Sequence, residues 1–335
     1  AGRRGPRCGR PKGRGSRSGR RRVILRRARP EDRDWFCRMA AKKHFPPHPH
    51  TGISGEERSR QWALRYFEGW QTMLAQPNLL VLVSQDPDDY AVLLRGEVET
   101  VTGEHQSRIW DWGYDPKPFL PTLLRQASQA GDSYLVARAQ PGEEELFLAL
   151  GFLPELRRVL APVVGKANRS QFTVRPATAM DTFFIANLHS QGSHFYVPAQ
   201  RQVDQEEITL RSSAYYLGLT FANDCPVWGR IICWQGKPSG YVLYKLGMRV
   251  EENGANAAYL YDINLLPEFW GRLGARILLR QAMLDLAELG VQYVAADISC
   301  DNDQAFQLAT RGIEFQLEWT RFGMKTPAPK EPLKR

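Results

Sequence analysis

The chain has 335 residues, 43% of them hydrophobic, which suffices for a packed core and, by length, for two domains or one large one. No run of about 18 apolar residues occurs, so no membrane-spanning helix is predicted. The formal charge of +9 belongs to one end: ten Arg and Lys lie in residues 1–22, and removing them from the 45 basic residues leaves 35 against 36 acidic.

The first segment, AGRRGPRCGRPKGRGSRSGRRR (1–22), carries almost no apolar side chain. It cannot bury enough surface to offset its ordering entropy, so a disordered basic tail is predicted. It reads either as a nonspecific phosphate-binding arm or as a solvated extension, since it lacks aromatic residues to stack on bases. Nucleic acid is a partner of this tail or of nothing in the chain. No apolar stretch follows it, so it is not a secretory signal, and the missing initiator Met suits a fragment or a processed chain. Five cysteines (Cys8, Cys37, Cys225, Cys233, Cys300) are scattered, with no C-x-x-C spacing. That argues against a disulfide framework and zinc, and fits a reducing cytoplasm. In HFPPHPH, His44, His48 and His50 have no carboxylate or Cys close by in sequence, which argues against a metal site.

Past the tail the chain repeats itself. RRARPED (26–32) aligns without gaps to RPATAMD (175–181), matching Arg26 with Arg175, Ala28 with Ala177 and Asp32 with Asp181. Each reads as a strand end, an Asp near a helix start, then an amphipathic helix. LLRQA occurs at 123–127 and again at 278–282. Two echoes in the same order predict two copies, 23–164 and 172–325, joined by a polar linker at 165–171 and followed by a tail at 326–335.

The second copy is the easier to read. FTVRPA is a strand, and 181–191 and 204–217 are helices. WGRIICWQ and GYVLYKLGMR flank GKPS, a predicted hairpin connection. AAYLYDINLL (257–266) is a strand, with Tyr259, Tyr261, Ile263 and Leu265 on one face and Leu260, Asp262, Asn264 and Leu266 on the other. In the helix 274–289, Leu278, Leu279, Ala282, Met283, Leu286 and Leu289 form one side, with Gln281, Asp285 and Glu288 on the other. QYVAADIS is a strand, 302–311 a helix, and EFQLEWTRFGM a last strand. Alternating strands and helices imply an α/β fold with a mixed sheet.

Between the strand ending at Leu266 and the helix stands PEFWGRLGAR. A helix N-terminus offers unpaired N–H groups and a positive partial charge, and small residues let backbone approach a pyrophosphate. This segment and the order of elements around it resemble the GNAT acyltransferase superfamily, whose loop reads Gln/Arg-x-x-Gly-x-Gly/Ala after Pro-Glu-aromatic. Pro267, Glu268 and Phe269 supply the approach. Trp270 stands in the Gln/Arg place, Leu273 in the middle Gly place and Ala275 in the last, with Gly271 and Gly274 beside them. NDQAFQLATRGIEF resembles a second family feature through Asn302, Ala305 and Leu308, but Ala309 fills the place of its Tyr. In the first copy LFLALGF keeps that run, with Phe147 in the Tyr place. Extending the LLRQA alignment upstream sets Asp115, Pro116, Pro118 and Pro121 opposite Trp270, Gly271, Leu273 and Arg276. Proline has no N–H to offer a phosphate.

The resemblance implies two tandem GNAT-like domains, each a twisted mixed β-sheet flanked by helices, the first a degenerate copy. It implies acetyl-CoA as co-substrate, held by Leu265, Leu266, Trp270, Gly271, Arg272, Leu273, Gly274, Ala275, Arg276 and Asn302. It implies an acetyl group passing by direct attack to a primary amine, small-molecule or peptide, with Asp262 as the base and Tyr261 beside it, in a cytoplasmic monomer or homodimer. The backbone N–H of Leu265 or Leu266 would polarise the thioester carbonyl. His189 and His194 fall in the family's acceptor region. The competing reading is a non-catalytic acyl-CoA-binding or scaffold protein with two decayed copies.

Overall fold

The structure, a computed structural model, describes residues 24–44, 46, 52–85, 88–165, 171–201, 203–222, 225–250 and 254–328. The predicted tail 1–22, most of the predicted linker and of the final tail, Cys8, His48 and His50 lie outside the described residues. The first copy runs β1 (Leu25–Arg27), α1 (Arg33–Lys43), α2 (Gly55–Ala75), β2 (Leu79–Gln85), β3 (Asp88–Val98), β4 (His105–Trp112), α3 (Leu120–Gln129), β5 (Tyr134–Ala139), α4 (Glu144–Ala149) and β6 (Leu153–Pro162). The second runs β7 (Thr173–Pro176), α5 (Thr182–Gly192), α6 (Gln205–Leu217), β8 (Val227–Trp234), β9 (Lys237–Arg249), β10 (Asn256–Leu265), α7 (Gly274–Glu288), β11 (Tyr293–Ser299), α8 (Asp303–Gln307) and β12 (Gln316–Lys325). Each element of one copy has its counterpart in the other.

The first echo is an ion-pair device. Arg26 grips both oxygens of Asp32, and Arg175 both oxygens of Asp181 at 2.7 and 2.8 Å. The same carboxylates accept the backbone N–H of Arg29 and Thr178. A two-pronged guanidinium–carboxylate contact is geometrically strict, so it ties a strand end to the start of a helix at a set angle.

The two copies do not form two sheets. All twelve strands join in the order β1-β2-β3-β4-β5-β12-β6-β11-β10-β9-β8-β7. Pairing is antiparallel except for β4 with β5 and β10 with β11, the mixed sheet that the alternation implies. The last strand of each copy is given to the other: β6 pairs with β11, β12 with β5, and the two meet side by side at the centre. Read from either end, the strand order is the same, so the copies are related by a pseudo-twofold axis through that central pair. Helices α3 and α7 pack on one face of the sheet, over cores built on Leu123 and Leu278. The pairs α1/α2 and α5/α6 pack on the other, over Trp70, Tyr90, Ile185 and Tyr241.

A second tie crosses between the copies. Arg201, in the connection from α5 to α6, is fully buried and grips Glu155 of β6 through both oxygens at 2.8 and 2.9 Å, with Gln106 of β4 at 2.9 Å. Its guanidinium also lies over the Tyr134 ring of β5.

Three sequence expectations change. The β8–β9 turn is Gln235–Gly236, both at positive φ, rather than GKPS; Lys237 and Pro238 begin β9, and the Ser239 hydroxyl accepts the Trp234 N–H. Two left-handed residues are what a tight hairpin demands. Asp285 does not face solvent: Arg230 of β8 grips both its oxygens and the Tyr244 hydroxyl donates to it at 2.8 Å, so a buried partner overrides the helical pattern. The helix predicted over 302–311 is α8 followed by a π-type turn at Leu308–Gly312.

Neither copy can close its sheet without a strand of the other, which bears on expression. Residues 23–164 and 172–325 produced separately will each be insoluble or self-associated, and produced together will purify as a one-to-one complex. Size-exclusion chromatography with light scattering checks this; two stable monomers with cooperative melts would contradict it.

Candidate active site

Strand β10 leads into the site, and its register is irregular. Leu260 pairs with Tyr244 and Asp262 with Leu243, which leaves Tyr261 as a bulged extra residue. A bulge shifts the alternation by one. Tyr261 and Asp262 therefore share the α5/α6 face, with Asn264 and Leu266 following, while Leu260, Ile263 and Leu265 point to the α7 face. The predicted grouping of Tyr261 with Ile263 and Leu265 fails for that reason.

Just past the bulge the sheet splits. Strand β10 pairs with β11 only from Ala257–Tyr293 to Leu260–Ala296. Beyond that, β10 follows β9 to Leu265 and β11 follows β6 to Ser299, which opens a cleft between them. At the head of the cleft stands α7. Gly274 begins it, and a Cβ there would lie 3.2 Å from both methyls of Leu265, so glycine lets the helix start press against the end of β10. No side chain caps α7. The N–H groups of its first turn, on Gly274, Ala275 and Arg276, have no partner within the helix.

Leu273 is the N-cap, at φ +63°, the left-handed conformation that glycine adopts freely. Its side chain is 64% exposed. The backbone here thus keeps the shape a glycine would give it, and the leucine bears the strain. Gly271 is also left-handed. Trp270 is half exposed, and its indole N–H donates to the Leu265 carbonyl at 2.9 Å, pinning the loop to the strand end. Arg272 lies 5.9 Å from the Phe269 ring.

Asp262, the predicted base, lies at the centre of a buried hydrogen-bond hub. Its carboxylate is wholly buried and accepts from Tyr216 and Tyr241 at 2.8 and 2.7 Å, from Tyr196, and from His189 Nδ1 at 3.0 Å. A carboxylate only accepts, so His189 must carry its proton on Nδ1. Burial pushes the Asp262 carboxyl up; His189 and the tyrosines more than offset this and hold it below the usual range. Three of the four donors meet on Oδ2 and Tyr196 donates to Oδ1, and the side chain has no exposed surface. It joins α5, α6, β9 and β10 behind the bulge. Tyr261 is half-buried under the Lys245 ammonium, 4.2 Å above its ring, and burial raises its hydroxyl pKa well above the ordinary value.

The other predicted residues fall as follows. The Leu266 N–H donates to the Ser239 carbonyl at 2.9 Å and the Leu265 N–H to its neighbour Asn264 Oδ1 at 2.9 Å, so neither is directed at a thioester. Asn302 caps α8, accepting the Ala305 N–H at 3.0 Å. His194 is exposed against Phe195. His44 stacks on Trp62 and approaches Asp111 at 3.3 Å.

The first copy repeats the hub and loses the loop. Asp111 of β4 accepts from Tyr66 and Tyr90, the counterparts of Tyr216 and Tyr241, and Trp110 bulges where Tyr261 does. Twelve positions lead from Asp111 to Leu123, against sixteen from Asp262 to Leu278. The loop is four residues shorter, so the gapless pairing of Asp115 with Trp270 does not hold. In its place the buried Asp89 carboxylate accepts the N–H groups of Tyr90, Tyr114 and Asp115 at 2.8 to 3.0 Å. Gly240 stands at that position in the second copy, where a Cβ would lie 2.4 Å from Leu265. Sequence reasoning missed the hub, although matched tyrosines at 66 and 216, and at 90 and 241, were there to find.

Asp262→Asn puts an amide N–H against hydroxyl donors and is expected to cost about 3 kcal/mol or more of stability; Asp111→Asn will cost a similar amount. Thermal melts check both, and a wild-type melting temperature in either removes the hub. Because both carboxyls titrate below the ordinary range, their contribution is complete above about pH 4 and is lost as the pH falls further. Leu273→Gly relieves left-handed strain and will raise stability by about 1 kcal/mol, a gain read from the melt without ligand.

A sequence model of the acetyltransferase (GNAT) family matches residues 183–315. Among solved structures, the chain is similar to a tandem GNAT protein from the clavulanic acid biosynthesis pathway, at 11% identity, 91% of this chain, 99% of that one and a TM-score of 0.45. It is also similar to a GCN5-related N-acetyltransferase from Sphaerobacter thermophilus, at 13% identity, 93% and 98% coverage and a TM-score of 0.49. No curated protein matches by sequence. The matched segment runs from α5 through the cleft and past the π-type turn, and the copy before it repeats the same order of elements: residues 183–315 form a GNAT-type acetyltransferase domain in the C-terminal half of the chain.

Proposed function

We propose that the C-terminal copy, 172–325, binds acetyl-CoA in the cleft between β10 and β11 and transfers its acetyl group to a primary amine by direct attack, while the N-terminal copy, 23–164, binds no coenzyme. The contrast between the two loops carries this reading. One presents an uncapped helix start behind two left-handed residues. The other is four residues shorter and spends its N–H groups on Asp89.

When bound, the coenzyme supplies a thioester carbonyl for attack. On the protein side, the first-turn N–H groups of Gly274, Ala275 and Arg276 face the pyrophosphate, with Gly271 and Leu273 shaping the backbone and Arg272 and Arg276 offsetting charge. Trp270 holds the loop to Leu265, and Leu265 and Leu266 form the cleft edge. Asn302 holds α8 in place across the cleft. Tyr261, kept protonated by burial, lines the cleft as a donor, and Asp262 fixes the bulge that places it. Asp262 is wholly buried beneath four donors, and Arg158 grips Asp297 through both oxygens, so neither carboxylate near the split is presented to the amine. The amine therefore enters neutral and loses its proton to water after attack.

Calorimetry with acetyl-CoA will return one site per chain, and two equivalent sites would defeat the assignment of the N-terminal copy. Leu273→Gly will tighten that binding several-fold, by about 1 kcal/mol, if one better-aligned charge-assisted hydrogen bond forms. Binding without thiol release from any amine would favour an acyl-CoA-binding protein over a transferase. Turnover will climb with pH and level off at the pKa of the amine used, about 10.4 for a lysine-like amine; a plateau independent of the amine would require a base on the protein.

A further inference from the structure

Lys245 of β9 is half-buried on the α5/α6 face of the sheet, one strand away from the split. It pairs with Tyr259 of β10, and Tyr259 pairs with Ala295 of β11, one position before the last β10–β11 pair at Leu260–Ala296. Its ammonium lies 4.2 Å from the centre of the Tyr261 ring and 5.5 Å from that of Tyr215 on α6. Tyr261 is the bulged residue where the sheet begins to open. The fold thus sets a primary amine of its own beside the coenzyme cleft.

No carboxylate holds that amine. Among the described residues its contacts are the two tyrosine rings, with no ion pair. The carboxylates at the split are engaged elsewhere, Asp262 in the hub and Asp297 with Arg158. Lys43, by contrast, is pinned by Glu143 at 2.6 Å. An ammonium over ring faces keeps its flexible four-carbon stem and gives up no salt bridge when it loses its proton.

The first copy has no amine at this place. Leu94 pairs with Arg108 there as Lys245 pairs with Tyr259, and Trp110 bulges where Tyr261 does. The amine stands in the copy whose α7 begins uncapped, and the leucine in the copy whose loop N–H groups are taken by Asp89.

We propose that Lys245 is an acetyl acceptor within its own chain, taking the acetyl group of acetyl-CoA bound in the cleft. The proposal rests on the coenzyme reading given above. The neutral Nζ attacks the thioester carbonyl carbon and a C–N bond forms. The C–S bond breaks with its electron pair going to sulfur, and the proton lost by nitrogen reaches that sulfur through water. The products are an amide and a free thiol, and no further reactant is needed. An amide does not pass its acetyl group on, so the product is a lasting modification that removes the charge from above Tyr261.

The test incubates the full chain with acetyl-CoA and no added amine, and reads each lysine by peptide mass spectrometry. Lys245 should be acetylated about tenfold or more faster than the exposed Lys117 and Lys237, because it is held beside its reactant. At saturating acetyl-CoA its half-time should not change on dilution of the protein, as a reaction within one chain requires. With acetyl phosphate, which needs no coenzyme site, the exposed lysines should lead instead. Coenzyme A without an acetyl group should protect Lys245 from reductive methylation and leave Lys117 and Lys237 as reactive as before, a readout of position that involves no transfer. Lys245→Arg keeps a cation over the ring and should lose the mark without passing it to another lysine. Acetylation of Lys245 no faster than of the exposed pair, a half-time that lengthens on dilution, or the same preference with acetyl phosphate overturns the proposal. Calorimetry separates it from the reading beneath it: acetyl-CoA that binds and leaves Lys245 unmodified sinks this proposal alone, whereas no binding sinks the coenzyme site as well.

Discussion

Everything in this molecule hangs on the pairing of β6 with β12. Each is the last strand of its copy, and each completes the sheet of the other. A strand withdrawn from its own sheet leaves a row of unpaired backbone groups, and the one favourable way to satisfy them is a strand of the same kind. Two copies in one chain meet this need reciprocally. The outcome is a continuous sheet without a seam, with a buried arginine, Arg201, bridging from one copy to β4 and β6 of the other.

Within that frame the copies have kept one feature and lost another. Both keep a buried aspartate gripped by two tyrosines and a histidine behind a bulged strand. Burying a carboxylate is costly unless donors surround it, so each hub holds two helices, the bulged strand and its neighbour in one arrangement. A single substitution in it would strand the rest, which gives a physical reason for its persistence in both copies. The loop before α3 and α7 is where the copies differ: Asp89 fills from inside what the other copy leaves open.

The exchange also creates surface that neither copy has alone. Arginines from β4, β5, β6 and β12 converge on one face because four strands from two copies lie side by side.

Much of this was legible in the residues. The echoes at 26–32 and 175–181, and at 123–127 and 278–282, announced the duplication, and apolar periodicity located nearly every helix and strand of the second copy, because burial on one face imposes period 3.6 or 2. PEFWGRLGAR marked the loop. What escaped was whatever depends on which distant residue arrives. Sequence shows Asp262 as a carboxylate on a strand and hides the three tyrosines and the histidine that donate to it. Asp285 looked solvated because Arg230 and Tyr244 lie far away in the chain. The left-handed backbone of Leu273, which gives the loop the shape a glycine would give it, is likewise set by the fold. The exchange of β6 and β12 left no local trace, since a strand has the same pattern whichever neighbour it pairs with. Local order was set by short-range periodicity and turn chemistry; partnership was set by tertiary contacts, where buried charges and unpaired backbone groups must find donors and acceptors wherever the fold brings them.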